Sequence, residues 1–211
     1  MKIENFSIGK PKEMQYGMNK EVVTAICKEA VEEAFLTFDG FRGDGVADLR
    51  HHGGLDRAVC IYPHEHYRLW EKEFGESLSP STFGENLTVS GMLESDIHIG
   101  DVFRVGEAVI QVTQSRIPCS TITKRTGLPF LLKRMVETGY TGYLCRVIKE
   151  GTVRFDSKIT LLEVDSARVS VLLTNEVYFH RAKNNPDAGR ILAIDALAEK
   201  WREGLAKKVG Q

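Results

Sequence analysis

The stretch VFRVGEAVIQV, residues 102–112, is the clearest indication of the fold in this sequence. Two short runs of β-branched and aromatic residues flank Gly106-Glu107, a pattern that predicts an antiparallel hairpin with a tight turn. Similar runs predict further strands at 22–26, 57–61, 86–89, 143–148 and 159–164. Short strands separated by glycines are typical of a barrel-like sheet. The expected fold class is therefore mainly β with some α.

Two helices are expected to interrupt these strands. Tyr67, Trp70 and Phe74 recur at helical spacing and predict a helix over 63–74. A second helix is predicted over 129–138, because its apolar residues are followed by Gly139, a typical residue after a helix C-terminus.

The pattern changes from residue 165 onward. Three short amphipathic helices are predicted there. Ser170 and Asp195 are the expected N-caps of the first and third, and Asn185-Pro186 is expected to start the second. So short a helical unit would be marginally stable alone. We expect residues 165–211 to pack on a barrel formed by residues 1–164, or on a partner.

Composition excludes several classes of protein. The 211 residues carry 28 Lys+Arg and 29 Asp+Glu, so the formal net charge is -1. A general nucleic-acid or anionic-membrane binder would more often be basic, and neither partner is expected. The sequence has no signal-peptide pattern and no apolar run of about 18 residues, which predicts a cytoplasmic protein.

Cys119 is the cysteine most suited to chemistry. It lies in TQSRIPCSTI, residues 113–122, close to Arg116. A turn or helix beginning at Ser120 would direct backbone N–H groups near the sulfur, and together with Arg116 it would favour the thiolate. A thiolate is both a nucleophile and a soft-metal ligand. The alternative is an ordinary loop thiol. The other cysteines are Cys27, Cys60 and Cys145, and their strand-like surroundings predict small buried hydrophobic residues.

GDGVADLRHHGGLDRAV, residues 43–59, is a second candidate. Gly53 and Gly54 permit a positive φ, so that successive N–H groups can converge on an anion. Side-chain donors would come from Arg50, His51, His52 and Arg57. This combination predicts a loop that holds a phosphate-like or pterin-like group, and either histidine could deliver a proton near neutral pH. The alternative is a glycine turn with solvated histidines.

FGENLTVSG, residues 83–91, is the third candidate. Asn86 can donate and accept hydrogen bonds, as the edge of a heterocycle requires. Taken alone, the local pattern favours a simple turn before a strand.

Taken together and in order, these stretches resemble the MOSC family, named after the C-terminus of molybdenum-cofactor sulfurases. The resemblance covers residues 20–165, and the tail is similar to the three-helix domain of a bacterial subgroup. That subgroup is similar to proteins that confer resistance to N-hydroxylated purines. The resemblance implies a β-barrel related to the pyruvate-kinase barrel, with a small three-helix appendage.

The resemblance also implies a molybdenum cofactor, Mo-molybdopterin, with Cys119 as the metal ligand. Asn86 and Arg116 match family residues that contact the cofactor, although Ile117-Pro118 here lengthens the family's Ser-Arg-Cys. The family is also described as binding pyridoxal phosphate. That property belongs to a separate aminotransferase-like domain of the sulfurases, for which these residues leave no room.

The expected function is a reductase of N-hydroxylated compounds such as 6-hydroxylaminopurine. The four cysteines are too scattered in sequence to suggest an iron–sulfur cluster, and no flavin motif is present. Electrons are therefore expected from an external flavin reductase. The chain is expected to act as a monomer or a homodimer. The alternative is a non-catalytic carrier of the cofactor, or of a sulfur atom on Cys119. A metal-free thiol redox enzyme is disfavoured, because no resolving cysteine is near Cys119 in sequence.

Overall fold

A computed structural model describes residues 1–48, 53–183 and 185–210 of the chain. Within these ranges the strands are β1 (Lys2–Ile8), β2 (Lys12–Tyr16), β3 (Lys20–Thr24), β4 (Glu29–Ala30), β5 (Glu33–Thr37), β6 (Gly40–Phe41), β7 (Val59–Pro63), β8 (Leu87–Ser90), β9 (Val102–Val105), β10 (Ala108–Ser115), β11 (Tyr143–Lys149), β12 (Gly151–Arg154) and β13 (Ile159–Glu163). The α-helices are α1 (Glu65–Phe74), α2 (Ser120–Thr126), α3 (Leu131–Thr138), α4 (Val171–Glu176), α5 (Pro186–Leu192) and α6 (Glu199–Val209). A 3₁₀ turn spans Leu55–Arg57, and a π-helical turn over Val177–Arg181 extends α4.

The main sheet has eight strands in the order β13-β9-β10-β11-β7-β8-β1-β4, and it curls into a half-barrel. Its pairs are antiparallel except for β7 and β8, which are parallel and are joined through α1. Parallel neighbours need such a crossover, because a hairpin cannot return the chain in the same direction. A β12-β5-β6 sheet and a β2–β3 hairpin flank the main sheet. The predicted fold class, mainly β with a barrel-like sheet and C-terminal helices, is confirmed.

The predicted hairpin at 102–112 is present as β9 and β10. Val105 faces Ala108 across a two-residue turn, in which Gly106 has φ 60. The N-terminal strands carried less signal. β1 has a register shift between Ile3 and Asn5, and this shift breaks the alternation of buried and exposed residues on which strand prediction depends.

Strand β7 separates two hydrophobic clusters. Val59 and Ile61 point into the larger cluster, which lies against the C-terminal helices. Tyr62 belongs to the smaller cluster, where it packs with Trp70 of α1 and Ile122 of α2. Since successive side chains of a strand alternate between its faces, Cys60 shares the side of Tyr62.

The C-terminal helices pack on the sheet and share its larger hydrophobic cluster. The predicted Ser170 cap is confirmed, since its hydroxyl accepts a hydrogen bond from Leu173 N at 3.1 Å. The second helix starts at Pro186, as predicted, and the Asn185 side chain caps it by accepting a hydrogen bond from Asp187 N at 2.9 Å. The predicted Asp195 cap is wrong, because the last helix starts at Glu199.

Tertiary hydrogen bonds explain the late start of this helix. The Ala198 N–H donates to Thr113 O at 3.0 Å, and the Arg146 guanidinium donates to Ala196 O at 2.9 Å. Both bonds hold the segment before α6 against the sheet in a turn conformation. Within the described ranges, no helix is both long enough and apolar enough to cross a bilayer.

Candidate functional site

Cys119 lies at the start of α2, four residues after β10 ends. Its backbone is extended, with φ -117 and ψ 162, and it occupies the N-cap position of the helix. Its side chain is half-buried, and its carbonyl accepts a hydrogen bond from Ile122 N at 3.1 Å. The predicted helix start at Ser120 is therefore confirmed.

Arg116 is the cation nearest in sequence to this thiol, and it is fixed by the backbone. Its N–H donates to Gly142 O at 3.0 Å, and its Nη2 donates to Phe83 O. The other terminal nitrogen, Nη1, is buried and has no hydrogen-bond partner among the described residues. Burial acts to lower the pKa of the guanidinium, but the nearby acidic groups of Cys60, Cys119 and Glu85 outweigh it, and the pKa is raised.

Cys60 lies in a strand, as its surroundings in the sequence predict, but it is half-buried rather than fully buried. Its side chain lies on the face of β7 that carries the polar site. Burial raises the pKa of the thiol, while the neighbouring cations Arg116 and Lys28 act in the opposite direction. The structure thus places a second thiol close to the arginine that neighbours Cys119.

The other two cysteines differ from each other. Cys145 is fully buried in the larger hydrophobic cluster, and burial raises the pKa of its thiol well above the usual value. Cys27 lies in the loop between β3 and β4 rather than in a strand, and it is half-buried.

Asn86 joins the site to the 43–59 stretch. Its Oδ1 accepts a hydrogen bond from Cys60 N at 3.0 Å, and its Nδ2 donates to Asp44 Oδ2 at 2.7 Å and to Ser7 O at 3.4 Å. Both amide hydrogens are therefore directed at protein acceptors. Direct contact between Asn86 and a cofactor stays a prediction, and the structure adds a positioning role for the residue.

Asp44, near the start of the 43–59 stretch, binds several parts of the fold at once. Besides Asn86, it accepts a hydrogen bond from Gly9 N at 2.8 Å and forms an ion pair with Lys28. The Lys28 side chain is only 6% exposed, so its charge depends on this carboxylate. Sequence reasoning missed Lys28, since a lone lysine in a loop carries no pattern.

The other end of the same stretch contacts β10. Arg57 donates from Nε to Gln114 Oε1 at 3.2 Å, and Thr113 Oγ1 donates to Asp56 O at 2.6 Å. Burial lowers the pKa of Arg57, against an opposing effect of Asp56. The 43–59 stretch therefore touches the strand that leads to Arg116 and Cys119.

The central residues of this stretch are only partly described. Gly54 has φ 114 and precedes the 3₁₀ turn, as the predicted glycine bend requires, while Gly53 is half-buried. The candidates Arg50, His51 and His52 lie outside the described residues. A pocket shared by this loop and Cys119 stays a prediction.

Glu85 is a further polar residue of the site, to which sequence reasoning assigned no role. Its side chain is fully buried, and its Oε1 accepts hydrogen bonds from the Tyr67 hydroxyl and, at 2.8 Å, from Thr88 Oγ1. Its Oε2 has no partner in the part of the chain that is described. The FGEN stretch is a candidate in the sequence, but a local pattern does not reveal which of its polar atoms remain unpaired.

The residues around Cys119 fit a molybdenum-pterin cofactor. A thiol is a soft-metal ligand in its ionised form, and a buried guanidinium with an unpaired Nη1 can donate to a polar heterocycle or a phosphate. The fit rests on these side chains and on the orphaned nitrogen of Arg116.

Comparison with known proteins agrees with this architecture. The MOSC domain family matches residues 48–160, and the family "YiiM-like, 3-alpha helix domain" matches residues 169–209. The YflK protein of Bacillus subtilis (strain 168) is 42% identical over 214 residues, which cover 99% of this chain and 96% of YflK. A protein of Gibberella moniliformis (strain M3125 / FGSC 7600) named "Reductase" is 34% identical over 169 residues, which are 78% of this chain and 30% of that longer protein.

A solved structure shows the same fold over nearly the whole chain. The crystal structure of YiiM from Geobacillus stearothermophilus superposes with a TM-score of 0.83 at 31% identity, and covers 99% of this chain and 98% of that one. Since the first family match spans more than half of the sequence, the chain belongs to the MOSC domain family and carries a YiiM-like three-helix domain after it.

Proposed function

We propose that this protein is a molybdenum-cofactor-dependent reductase of N-hydroxylated compounds, such as 6-hydroxylaminopurine. The observation that carries the proposal is the placement of Cys119 next to Arg116, whose buried Nη1 is unpaired among the described residues. Membership of the MOSC family supports it, as does similarity to 30% of the length of the Gibberella moniliformis protein named "Reductase".

The reaction converts R–NHOH, two electrons and two protons into R–NH₂ and water. The bound cofactor supplies the two-electron chemistry, and the protein supplies orientation and protons. Cys119 is the proposed metal ligand, because its thiolate is the soft donor of the site. Arg116 would donate a hydrogen bond to the cofactor, and Asn86 would hold the start of the 43–59 stretch in place through its hydrogen bond to Asp44.

The remaining roles belong to the 43–59 stretch and to a partner. We propose that Gly53, Gly54 and Arg57 hold the polar end of the cofactor or the substrate. His51 or His52 would supply a proton, since histidine titrates near neutral pH. Electrons would come from a separate flavin reductase.

The test is the molybdenum content and turnover of protein made in a host that synthesises the cofactor. Wild type should contain one molybdenum per chain and reduce 6-hydroxylaminopurine when a flavin reductase is supplied. Cys119→Ser should lose molybdenum and turnover together, each by at least about tenfold, because a hydroxyl does not ionise near pH 7. Cys27→Ser is the matched control, since it changes another half-buried cysteine in a loop.

Other results would replace the proposal by a different function. Molybdenum without turnover, followed by release of the cofactor to an apo-acceptor, would identify a cofactor carrier. A persulfide on Cys119 in molybdenum-free protein would identify a sulfur carrier. Normal reduction by Cys119→Ser would show that another group binds the metal.

A further inference from the structure

An open cavity of about 420 Å³ lies between α2 and the β2–β3 hairpin. Two residues of the hairpin and four residues of α2 and its C-cap line it: Tyr16, Gly17, Ser120, Thr123, Lys124 and Gly127. The last four follow the spacing i, i+3, i+4 and i+7, so they share one face of the helix. Ile122, on another face of α2, is buried in the smaller hydrophobic cluster. The cavity is therefore formed by the outer, polar face of α2 and the hairpin opposite it.

This cavity begins directly beside Cys119. Ser120 is the next residue in the chain, and Thr123 follows the cysteine by four residues, or about one helical turn. The Cys119 side chain is half-buried, so it is not closed off from this side. Gly17 and Gly127 add no side chain, and a Cβ at either position would stay at least 4 Å from the described residues outside its own stretch of chain. A ligand held at Cys119 thus has room to extend along α2.

The charge in the cavity is positive. Lys124 Nζ lies 5.1 Å from the centre of the Tyr16 ring, and this cation–π contact directs the ammonium group across the cavity. Among the described residues, no carboxylate forms an ion pair with Lys124, and no acidic residue lines the cavity. The hydroxyls of Ser120 and Thr123 supply two more hydrogen-bond donors on the same helix face. One cation and two hydroxyls on one face suit a group with several anionic oxygens.

The hairpin has the same polarity on the side of the cavity. Tyr16 faces Lys20 in the hairpin register, so these two side chains lie on one face. Glu21 faces Gln15, whose side chain donates to it at 3.2 Å, and this pair lies on the opposite face. The face of the hairpin that carries Tyr16 therefore presents a lysine, and its glutamate is turned away.

We propose that this cavity binds the phosphate of a nucleoside 5′-monophosphate, so that the substrate is the nucleotide form of an N-hydroxylated base. Lys124 pairs with the phosphate, and the hydroxyls of Ser120 and Thr123 donate to its oxygens. Lys124 follows Cys119 by five residues, which is about 7.5 Å along the helix, so the ribose lies between the base and the lysine. The inference rests on the proposed function, which places the reacting base at Cys119.

The experiment compares two probes that differ only in the phosphate. AMP and adenosine carry the 6-amino group of the reduced product, and equilibrium dialysis against the purified full-length chain measures the binding of each. AMP should bind at least about tenfold more tightly than adenosine, because charge-assisted hydrogen bonds hold only the phosphate. Added salt should reduce this ratio, since the cavity is open and its charges are screened.

Two variants should remove the preference. Lys124→Met deletes the charge but keeps a long side chain, and it should reduce the AMP-to-adenosine ratio to about threefold or less. Thr123→Trp fills the cavity and should weaken AMP by at least about tenfold, with a smaller effect on adenosine. Both changes are made on the outer face of α2, so the circular dichroism of each variant should match that of wild type.

Two matched controls should keep the preference. Lys133→Met removes the same charge from α3, where the side chain is 70% exposed and outside the cavity, so the ratio should stay near the wild-type value. Tyr16→Phe keeps the ring that contacts Lys124 and should also leave it unchanged. Tyr16→Leu removes the ring, and the ratio should fall because the ammonium group is no longer directed across the cavity.

The outcomes separate this inference from the proposed function. Equal binding of AMP and adenosine to wild type, or equal ratios in Lys124→Met and Lys133→Met, would overturn the inference even if the loaded protein reduces free 6-hydroxylaminopurine. A preference for AMP that Lys124→Met leaves intact would place the phosphate elsewhere and overturn it as well. The expected ratios in a protein that reduces neither the N-hydroxylated nucleotide nor the free base would support the phosphate site and remove the reductase function.

Discussion

Cys145 and Cys60 lie on neighbouring strands, and their side chains face opposite sides of the sheet. Cys145 pairs with Val59 and points with it into the larger hydrophobic cluster. Cys60 pairs with Leu144 and points towards the polar site, where Arg116 is its neighbour. One position along a strand therefore decides whether a cysteine is a packing residue or a site residue.

This difference predicts unequal costs for the same substitution. Cys145→Ser places a hydroxyl in a fully buried apolar site and should lower the free energy of unfolding by about 1–3 kcal/mol. Cys60→Ser should cost less than about 1 kcal/mol, because its half-buried side chain already has polar neighbours. Urea denaturation of the two variants measures both values. A larger loss for Cys60→Ser would contradict the assignment of the two faces.

At the scale of elements, the sequence predicts features that depend on neighbouring residues, but not those that depend on tertiary contacts. The hairpin of β9 and β10 follows from two β-rich runs around Gly106, and the caps Ser170 and Asn185 act within their own helices. Asp195 looked like an equally good cap. It does not cap a helix, because the Ala198 N–H donates to Thr113 O and the Arg146 guanidinium donates to Ala196 O. These two hydrogen bonds hold the segment in a turn.

The candidate site shows the same difference between residues placed by local sequence and residues placed by tertiary contacts. Arg116 and Cys119 share the short segment between β10 and α2, and the Cys119 thiol contributes to the raised pKa of Arg116. The roles of Glu85 and Lys28 depend on partners on other elements, Tyr67 for the first and Asp44 for the second. No periodicity or local motif encodes such pairings, so sequence reasoning from a single chain does not find them.

Asp44 fixes the first part of the loop before β7 to the rest of the barrel sheet, and its removal should be costly. Asp44→Asn leaves the Lys28 ammonium, 6% exposed, without its counter-charge. Breaking such a pair from one side costs about 3–5 kcal/mol, so unfolding by urea should shift strongly. The control is Lys12→Met, whose pair with Glu29 is exposed and should contribute under about 1 kcal/mol. Equal small shifts in both variants would show that Lys28 is solvated without Asp44.

At the scale of the whole molecule, the helical tail is joined to the sheet more closely than its abrupt change of pattern suggests. Trp201 and Leu205 of α6 are buried in one cluster with Val112 and Cys145 of the sheet. A cut at residue 165 would expose this cluster to water. The tail is therefore a poor candidate for a module that can be deleted without affecting the rest.

The two tryptophans make this continuity measurable, since each reports on one cluster. Trp70 is fully buried in the smaller cluster and donates to the Tyr62 hydroxyl at 2.7 Å, whereas Trp201 packs against Tyr178 of the tail at 4.7 Å between ring centroids. In Trp70→Phe the fluorescence of Trp201 reports on the packing of the tail, and in Trp201→Phe the fluorescence of Trp70 reports on the region around α1. Because the sheet contributes to both clusters, each variant should unfold in one cooperative step.

In each variant the fluorescence midpoint in urea should therefore coincide with the midpoint of the far-ultraviolet circular dichroism of the same sample. Comparison within one variant removes the loss of stability that each substitution itself causes. A tail that unfolds first would give an early fluorescence transition in Trp70→Phe, before the loss of sheet signal. Such a result would mean that the shared cluster does not couple the two parts, and that a truncated barrel could be studied alone.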